Sequence, residues 1–529
     1  MGLISYEYLL FFLGGVFLLY TACPKSKKWI VLLAASYYFY WSNSEWLVLF
    51  LLATTAVIYL GARMIDNADR SFDFVKKKLE KEEKKEYKQF VTKQKKYAVA
   101  VGVIAALGLL LLLKYGTFFI TVFYSALKLL HLKTPKFPIG RPMIPLGISY
   151  YTLQAIGYLI DVYRGRVKAA RHFGKVALFL TFFPQMVEGP IGRFERLADP
   201  LFEGNSFDYD RVTKGIQRIF FGLFKKIVIA DRANLFVTGV FDDFHAADGS
   251  MIFLAGILYT LQIYAEFSGC IDIVIGSAQL FGVPLDENFN QPFFAKSVSE
   301  FWRRWHITLG SRFKDYVFYP VSLSKPFMRL SKRVRRGGNE YLGALIPSAS
   351  ALLITWLGTG LWHGPAWKYV VYGLYYYTIM LCGMVFEPVF ASVSGKLHIN
   401  RQSKVFGALA ILRTSLLVVG GMLLFRADTV AIFAKMIGRI FTAFSQIGFR
   451  ASIFSFGLGL SDFFVLFLSV ILLFVIGVLK EKGIHVRDAV ANLPLPIRWF
   501  LYITLIMSII IFGAYGGKYE AVDLIYGQF

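Results

Sequence analysis

The chain has 529 residues, of which 56% are hydrophobic and 17% aromatic, and its mean hydropathy is +0.54. Only 17% are Asp, Glu, Lys or Arg, too few to cover a soluble domain of this length, so the composition points to a polytopic membrane protein of helical class. The formal net charge of +24 sits in short segments between apolar runs, which fits cytoplasmic loops and contact with anionic membrane lipids and argues against nucleic acid as a partner.

Taken in chain order, with about 17–25 residues per crossing, the first apolar run covers about 3–22 and ends at the basic cluster 24–28. It carries Glu7, has no basic leader, and holds Tyr20 where a lipobox before Cys23 needs a small residue. It reads as a retained span and not as a cleaved signal. The block 29–60 is broken at Trp41-Ser42-Asn43-Ser44-Glu45, which suits two short helices in a hairpin or one long tilted span. The hairpin would return the chain to the side it left. Residues 62–96 are the most strongly charged loop, with ten lysines against four glutamates between Lys76 and Lys96. This segment reads as a solvated cytoplasmic helix with i,i+4 charge pairs.

Apolar spans resume at about 97–131, followed by a Pro-rich basic link at 135–142. From Pro145 onward Gly147, Gly157, Gly174, Gly189, Pro190 and Gly192 punctuate apolar stretches that also hold Asp161 and Glu188. Broken or re-entrant membrane segments have this composition, because protein or a cavity must satisfy the freed backbone. Further spans fall at about 213–240, 251–283, 343–363, 366–388, 404–425, 463–480 and 497–517. The total is about 11 or more. A second basic loop holds Lys325, Arg329, Lys332, Arg333, Arg335 and Arg336, and 429–460 reads as lying along the membrane surface. There is no internal repeat, so an inverted-repeat transporter of acyl donor or glycan has little support.

Two histidines carry most of the chemical information. His363 follows Trp356, Gly358, Gly360 and Trp362 and precedes Gly364-Pro365, where a helix stops and a ligand or second backbone can approach closely. Placed there, it can accept a proton from a substrate hydroxyl. The same surroundings suit a core histidine bonded to a carbonyl, and the residues alone leave both readings open. His306 lies beside Glu300, Trp302, Arg303, Arg304 and Trp305. Helical spacing puts Trp302 and His306 on one face with Arg303 about a hundred degrees away. The arginines and tryptophans suit the phosphate of phosphopantetheine or coenzyme A, and equally an interfacial helix anchored at headgroup depth. Glu266 and Asp272, six residues apart on different helix faces, either pair with an arginine or line a cavity. No G-x-S-x-G, Walker A, G-x-G-x-x-G or metal-ligand spacing occurs, and Cys23, Cys270 and Cys382 form no disulfide framework.

Residues 145–154 (PLGISYYTLQ), 158–165 (YLIDVYRG), 182–191 (FFPQMVEGPI), 264–269 (YAEFSG), 287–293 (ENFNQPF), 301–310 (FWRRWHITLG), 315–320 (DYVFYP) and 360–364 (GLWHG) resemble successive blocks of the membrane-bound O-acyltransferase family. The opening 6–12 and 35–40 extend the likeness, which is nearest to the bacterial alginate O-acetylation branch. A more distant likeness is to the teichoic-acid D-alanylation branch. Glu266 stands where many relatives have Asp and Cys270 where an aromatic is common, and the likeness loosens after about residue 400, through the terminal 525–529.

The resemblance implies a ring of transmembrane and re-entrant helices around a central tunnel. N-terminal membrane helices (1–61) and a charged cytoplasmic segment (62–96) would precede the catalytic membrane core (97–400), with further membrane helices at 401–529. It implies His363 as the main catalytic residue and His306 as a second. Trp302, Arg303, Arg304, Trp305, Trp362, Glu188, Tyr151 and Gln154 complete the expected substrate-binding set, with no metal and no tightly bound cofactor. The donor would be an acyl thioester, acetyl-CoA or an acyl carrier protein, entering from the cytoplasm. The acceptor would be an exported polysaccharide, with an SGNH-type acetyltransferase as partner and the bacterial inner membrane as location. D-alanyl transfer to teichoic acid is the alternative within the same enzyme class.

Overall fold

The computed structural model describes residues 2–132, 144–445 and 453–515. The 135–142 link, part of the 429–460 segment and the terminal 525–529 run lie outside the described residues. The described chain is helical and contains no strand, only an isolated antiparallel bridge between Phe289 and Trp305. Seven described helical stretches are long and apolar enough to cross a membrane: Lys25–Val75, Lys81–Leu129, Gly249–Leu280, Glu340–His363, Lys404–Arg426, Leu460–Glu481 and Leu495–Phe512. The pair Trp367–Val385 and Glu387–Lys396, bent by 53°, makes an eighth if it is one span. The count of about eleven also took in two other stretches. One holds the shorter apolar helix Glu7–Ala22. The other is divided among Tyr209–Leu223, a π-helical turn at Phe224–Ala230 and Asp231–Asp242, with Lys225, Lys226, Asp231 and Arg232 at the junctions.

The chain forms two compact units. Among the described residues, one gathers 2–132, 144–219 and 273–286, the other 220–272, 287–445 and 453–515.

In the first unit the chain turns back at the break Glu45–Leu47, where Glu45 adopts φ 45°. Of the two arrangements open for 29–60 the chain takes the hairpin, with Lys28–Ser44 and Val48–Val75 side by side: Trp29 meets the His172 ring at 5.1 Å and Tyr59 the adjacent Phe173 ring at 5.6 Å. A second reversal comes between Val48–Val75 and the 49-residue helix Lys81–Leu129, whose start is fixed by a capping box of Glu80 and Glu83. At 1.5 Å per residue that helix is about 70 Å long, more than twice the hydrocarbon thickness. Its lysine-rich start therefore extends into water, and the charged 62–96 segment consists of two helix ends. Lys95 reaches Asp69 at 2.8 Å, and Asp66 takes both Arg63 and Arg70. Toward the core, a Cβ on Gly102 would lie 2.4 Å from Leu159, so the missing side chain is what lets Ile148–Tyr163 dock. Gly147 is left-handed (φ 65°) and packs against the Met186 carbonyl. The irregular stretch at 182–193 is buried almost throughout, as broken backbone inside a membrane protein must be.

The second unit carries both histidines of interest. Glu340–His363 and Trp367–Val385 form a hairpin in which two glycines let the backbones meet. A Cβ on Gly360 would fall 2.2 Å from the Tyr369 carbonyl oxygen, and one on Gly373 would fall 2.3 Å from that of Trp356. Lys404–Arg426 closes on the same helix, with Gly421 making room for the Tyr376 hydroxyl. The second basic loop is an amphipathic helix, Lys325–Arg336, that packs on the start of Glu340–His363 where the Ser331 hydroxyl donates to the Gly343 carbonyl at 2.6 Å.

Candidate active site

His363 is the last residue of its helix, buried, with Gly364 extended beyond it. Its imidazole is enclosed by rings: Trp362 at 5.0 Å between centroids, Phe425 at 5.1 Å, Tyr372 at 5.7 Å and Tyr369 at 6.2 Å. A Cβ on Gly364 would lie 2.6 Å from the Tyr369 ring, so the glycine lets that tyrosine back the histidine.

His306 is held differently. The helix expected to carry Trp302 and His306 on one face ends at Arg304, so that reading is corrected. Trp305 is extended and pairs with Phe289, while His306 itself adopts φ 46°, ψ 50° and opens the next short helix, Ile307–Phe313. A non-glycine residue in this region stores roughly 1–3 kcal/mol that the surroundings must offset. The offset comes from the 287–291 segment. Asn290 N–H donates to the Arg304 carbonyl at 2.9 Å and Ile307 N–H to the Asn288 carbonyl at 3.0 Å. The Asn288 side-chain oxygen then accepts from Thr308 N–H at 3.0 Å and from the Thr308 hydroxyl at 2.9 Å, and lies 3.2 Å from His306 Nδ1. Phe267 meets the imidazole edge to face at 4.9 Å, and Trp362 at 5.5 Å. Trp362 thus touches both histidines. Burial, and after it the neighbouring His363, holds the His306 imidazole well below its ordinary range, so it is neutral near pH 7.

The other expected residues divide. Trp302 joins the wall behind His363, against Tyr376 at 4.9 Å, Trp356 at 5.0 Å and Tyr372 at 6.3 Å. Trp305 is buried against Phe289, Phe301 and Tyr264 and supports the His306 turn from behind. Arg304 is ion-paired to Glu300 at 2.8 Å and to Glu481, so its guanidinium braces two helices, whereas Arg303 is exposed. Tyr151, Gln154 and Glu188 belong to the first unit, all buried, with the Gln154 amide donating to the Phe179 carbonyl. Glu266 and Asp272 pair with lysines, Lys226 at 3.2 Å and Lys225 at 2.6 Å. No group of His, Cys, Asp and Glu suited to a metal occurs among the described residues, and none of the three cysteines is in a disulfide.

Sequence reasoning did not single out Asn288, Phe267, Tyr372 or Phe425. Asn288 alone left a signal, as an amide inside the aromatic block 287–293. The two buried imidazoles share an aromatic site, one on a left-handed turn and one at a helix end, with no metal-binding cluster among the described residues. That equipment suits proton transfer to and from an attacking hydroxyl.

Comparison with known proteins gives a consistent picture. A family model described as MBOAT, membrane-bound O-acyltransferase family, matches residues 170–335. A probable alginate O-acetylase AlgI of Pseudomonas syringae pv. tomato is 30% identical over 437 residues, covering 83% of this chain and 74% of its own length. A peptidoglycan O-acetyltransferase of Helicobacter pylori is 32% identical over 310 residues, 53% of this chain and 54% of its own. A teichoic acid D-alanyltransferase of Bacillus subtilis is 29% identical over 246 residues, 46% and 59% of the two chains.

Proposed function

Because the chain belongs to the membrane-bound O-acyltransferase family and is an O-acyltransferase, we propose that it moves an acetyl group from a cytoplasmic thioester to hydroxyls of an exported polysaccharide. The observation that carries the catalytic assignment is the pair of buried histidines bridged by Trp362. His363 accepts the proton of the acceptor hydroxyl as its oxygen attacks the thioester carbonyl. Collapse of the tetrahedral adduct releases the thiolate, which takes that proton back from the imidazolium, so the cycle consumes no net proton. Proton transfer of this kind contributes roughly 10²–10⁴-fold. His306 orients the thioester, and Trp302 and Trp362 wall off water. Arg303, exposed at the end of its helix, is the residue of that helix suited to a donor phosphate.

Acetyl-CoA or an acetylated carrier protein is the donor in this reading, an SGNH-type acetyltransferase is the partner, and the bacterial cytoplasmic membrane, with its lipids, is the setting. Helix Glu340–His363 supports an outward-facing acceptor. Its 24 residues span about 36 Å, so His363 lies a bilayer's thickness from the basic Lys325–Arg336 helix at its start.

The test is mass spectrometry of the cell-surface polymer together with acetyl transfer from labelled thioester by purified protein. His363→Ala is expected to abolish both while leaving the protein inserted and monodisperse. Normal acetylation by that variant would overturn the assignment, and D-alanyl ester in place of acetyl would move the donor to the teichoic-acid branch.

A further inference from the structure

The amide of Asn288 can face His306 in one way only. Its side-chain oxygen accepts the Thr308 backbone N–H at 3.0 Å, and a backbone N–H cannot accept, so turning the amide over would set two donors against each other. The oxygen is therefore the atom 3.2 Å from His306 Nδ1. An oxygen with lone pairs can meet a ring nitrogen only if that nitrogen carries the hydrogen. In a neutral imidazole the other nitrogen then bears the lone pair.

We propose that Asn288 is a positioning residue that locks neutral His306 as the Nδ1–H tautomer, leaving Nε2 as a hydrogen-bond and proton acceptor facing the substrate. The inference rests on the reading of His306 as an active-site residue and sharpens its role. A neutral His306 of this tautomer cannot donate to the developing oxyanion of the thioester carbonyl. It takes a hydrogen bond instead, from the acceptor hydroxyl or from an amide N–H of a pantetheine arm. The same Asn288 supports the left-handed turn through its backbone carbonyl on Ile307 N–H, so tautomer and ring position are set by one residue. Asn288 is fully buried, and its oxygen serves three hydrogens at once: the Thr308 N–H, the Thr308 hydroxyl and the imidazole. The titratable group whose charge acts on His306 is His363.

The experiment is ¹⁵N NMR of ring-labelled histidine in the full chain, with His306→Gln identifying the His306 signals. The expected result is a protonated, pyrrole-type Nδ1 and a pyridine-type Nε2 at neutral pH, shifting toward the opposite tautomer in Asn288→Leu. A protonated Nε2 in the unaltered protein overturns the proposal. Two kinetic arms accompany it. Asn288→Leu is expected to lower kcat about 10²-fold. Asn288→Asp keeps an acceptor against Nδ1 and adds a charge that favours imidazolium, so it retains activity while the acid limb of its pH profile moves to higher pH. An unmoved pH profile in Asn288→Asp with the wild-type tautomer in Asn288→Leu would leave Asn288 a packing residue only and end the proposal. The NMR arm needs no donor or acceptor, so it decides the tautomer even if the acetyl-transfer reading fails.

Discussion

Gly364 shows how closely His363, the proposed base, is fitted. Any Cβ there would press on the Tyr369 ring, which packs behind His363. Gly364→Ala should therefore displace Tyr369 and, with it, the imidazole. Misplacing a catalytic group by an ångström costs on the order of 10²-fold, so kcat is expected to fall by about that factor with KM little changed. Trimming the obstructing ring in Gly364→Ala/Tyr369→Leu should recover part of the loss in a labelled-thioester assay, and a double variant no better than the single one would point to backbone damage instead. The glycine and both histidines were visible in the sequence because small and titratable residues stand out in apolar surroundings. The role of Asn288 was not, because its partners lie 18 and 20 residues away and meet it only after the chain turns back at a left-handed residue. Arg304 misled for a related reason: its partner Glu481 is 177 positions distant.

Between helices, a buried polar cluster in the second unit joins the π-helical turn Phe224–Ala230 to Gly249–Leu280. Lys226 sits between Glu266 at 3.2 Å and Asp231 at 2.8 Å, Lys225 takes Asp272 at 2.6 Å, and a Cβ on Gly269 would lie 2.8 Å from the Gly222 carbonyl oxygen. The extra residue of a π turn and the close glycine contact bring two buried lysines within reach of acids on the neighbouring helix. Phe267, next to Glu266, is the residue that meets His306, so the ion pairs also fix one wall of the site. Removing one member of a buried pair strands the other, at a cost of about 3–5 kcal/mol. Lys226→Met should accordingly lower the melting temperature in detergent and reduce acyl transfer. Lys226→Met/Asp231→Asn/Glu266→Gln should regain more than half of the lost stability, since both stranded carboxylates are gone. Equal losses in the two variants would mean that the lysine stem, not its charge, matters. From sequence, Glu266 and Asp272 were recognisable as costly groups in an apolar run. Their lysine partners were hidden because 213–240 reads as a plain span until the π turn aims Lys225 and Lys226 inward.

For the whole molecule, orientation follows from where charge cannot go. The amphipathic helix Lys325–Arg336 carries six basic residues and no acidic one, and a segment of that kind stays on the cytoplasmic side. Glu340–His363 departs from it and ends at His363, and Trp367, four residues further and exposed, opens the returning helix. A 36 Å helix cannot begin at the cytoplasmic face and end there without reversing, and Pro347 within it interrupts no more than one hydrogen bond of the ladder. With the native thiols replaced in Cys23→Ser/Cys270→Ala/Cys382→Ser, a cysteine placed by Lys332→Cys should react with a membrane-impermeant maleimide only in inside-out vesicles. One placed by Trp367→Cys should react in spheroplasts. This separation of two positions 35 residues apart would put the His363 end of the site within reach of an exported acceptor. Labelling of Lys332→Cys from outside would reverse the orientation and remove the argument that the acceptor arrives from that face.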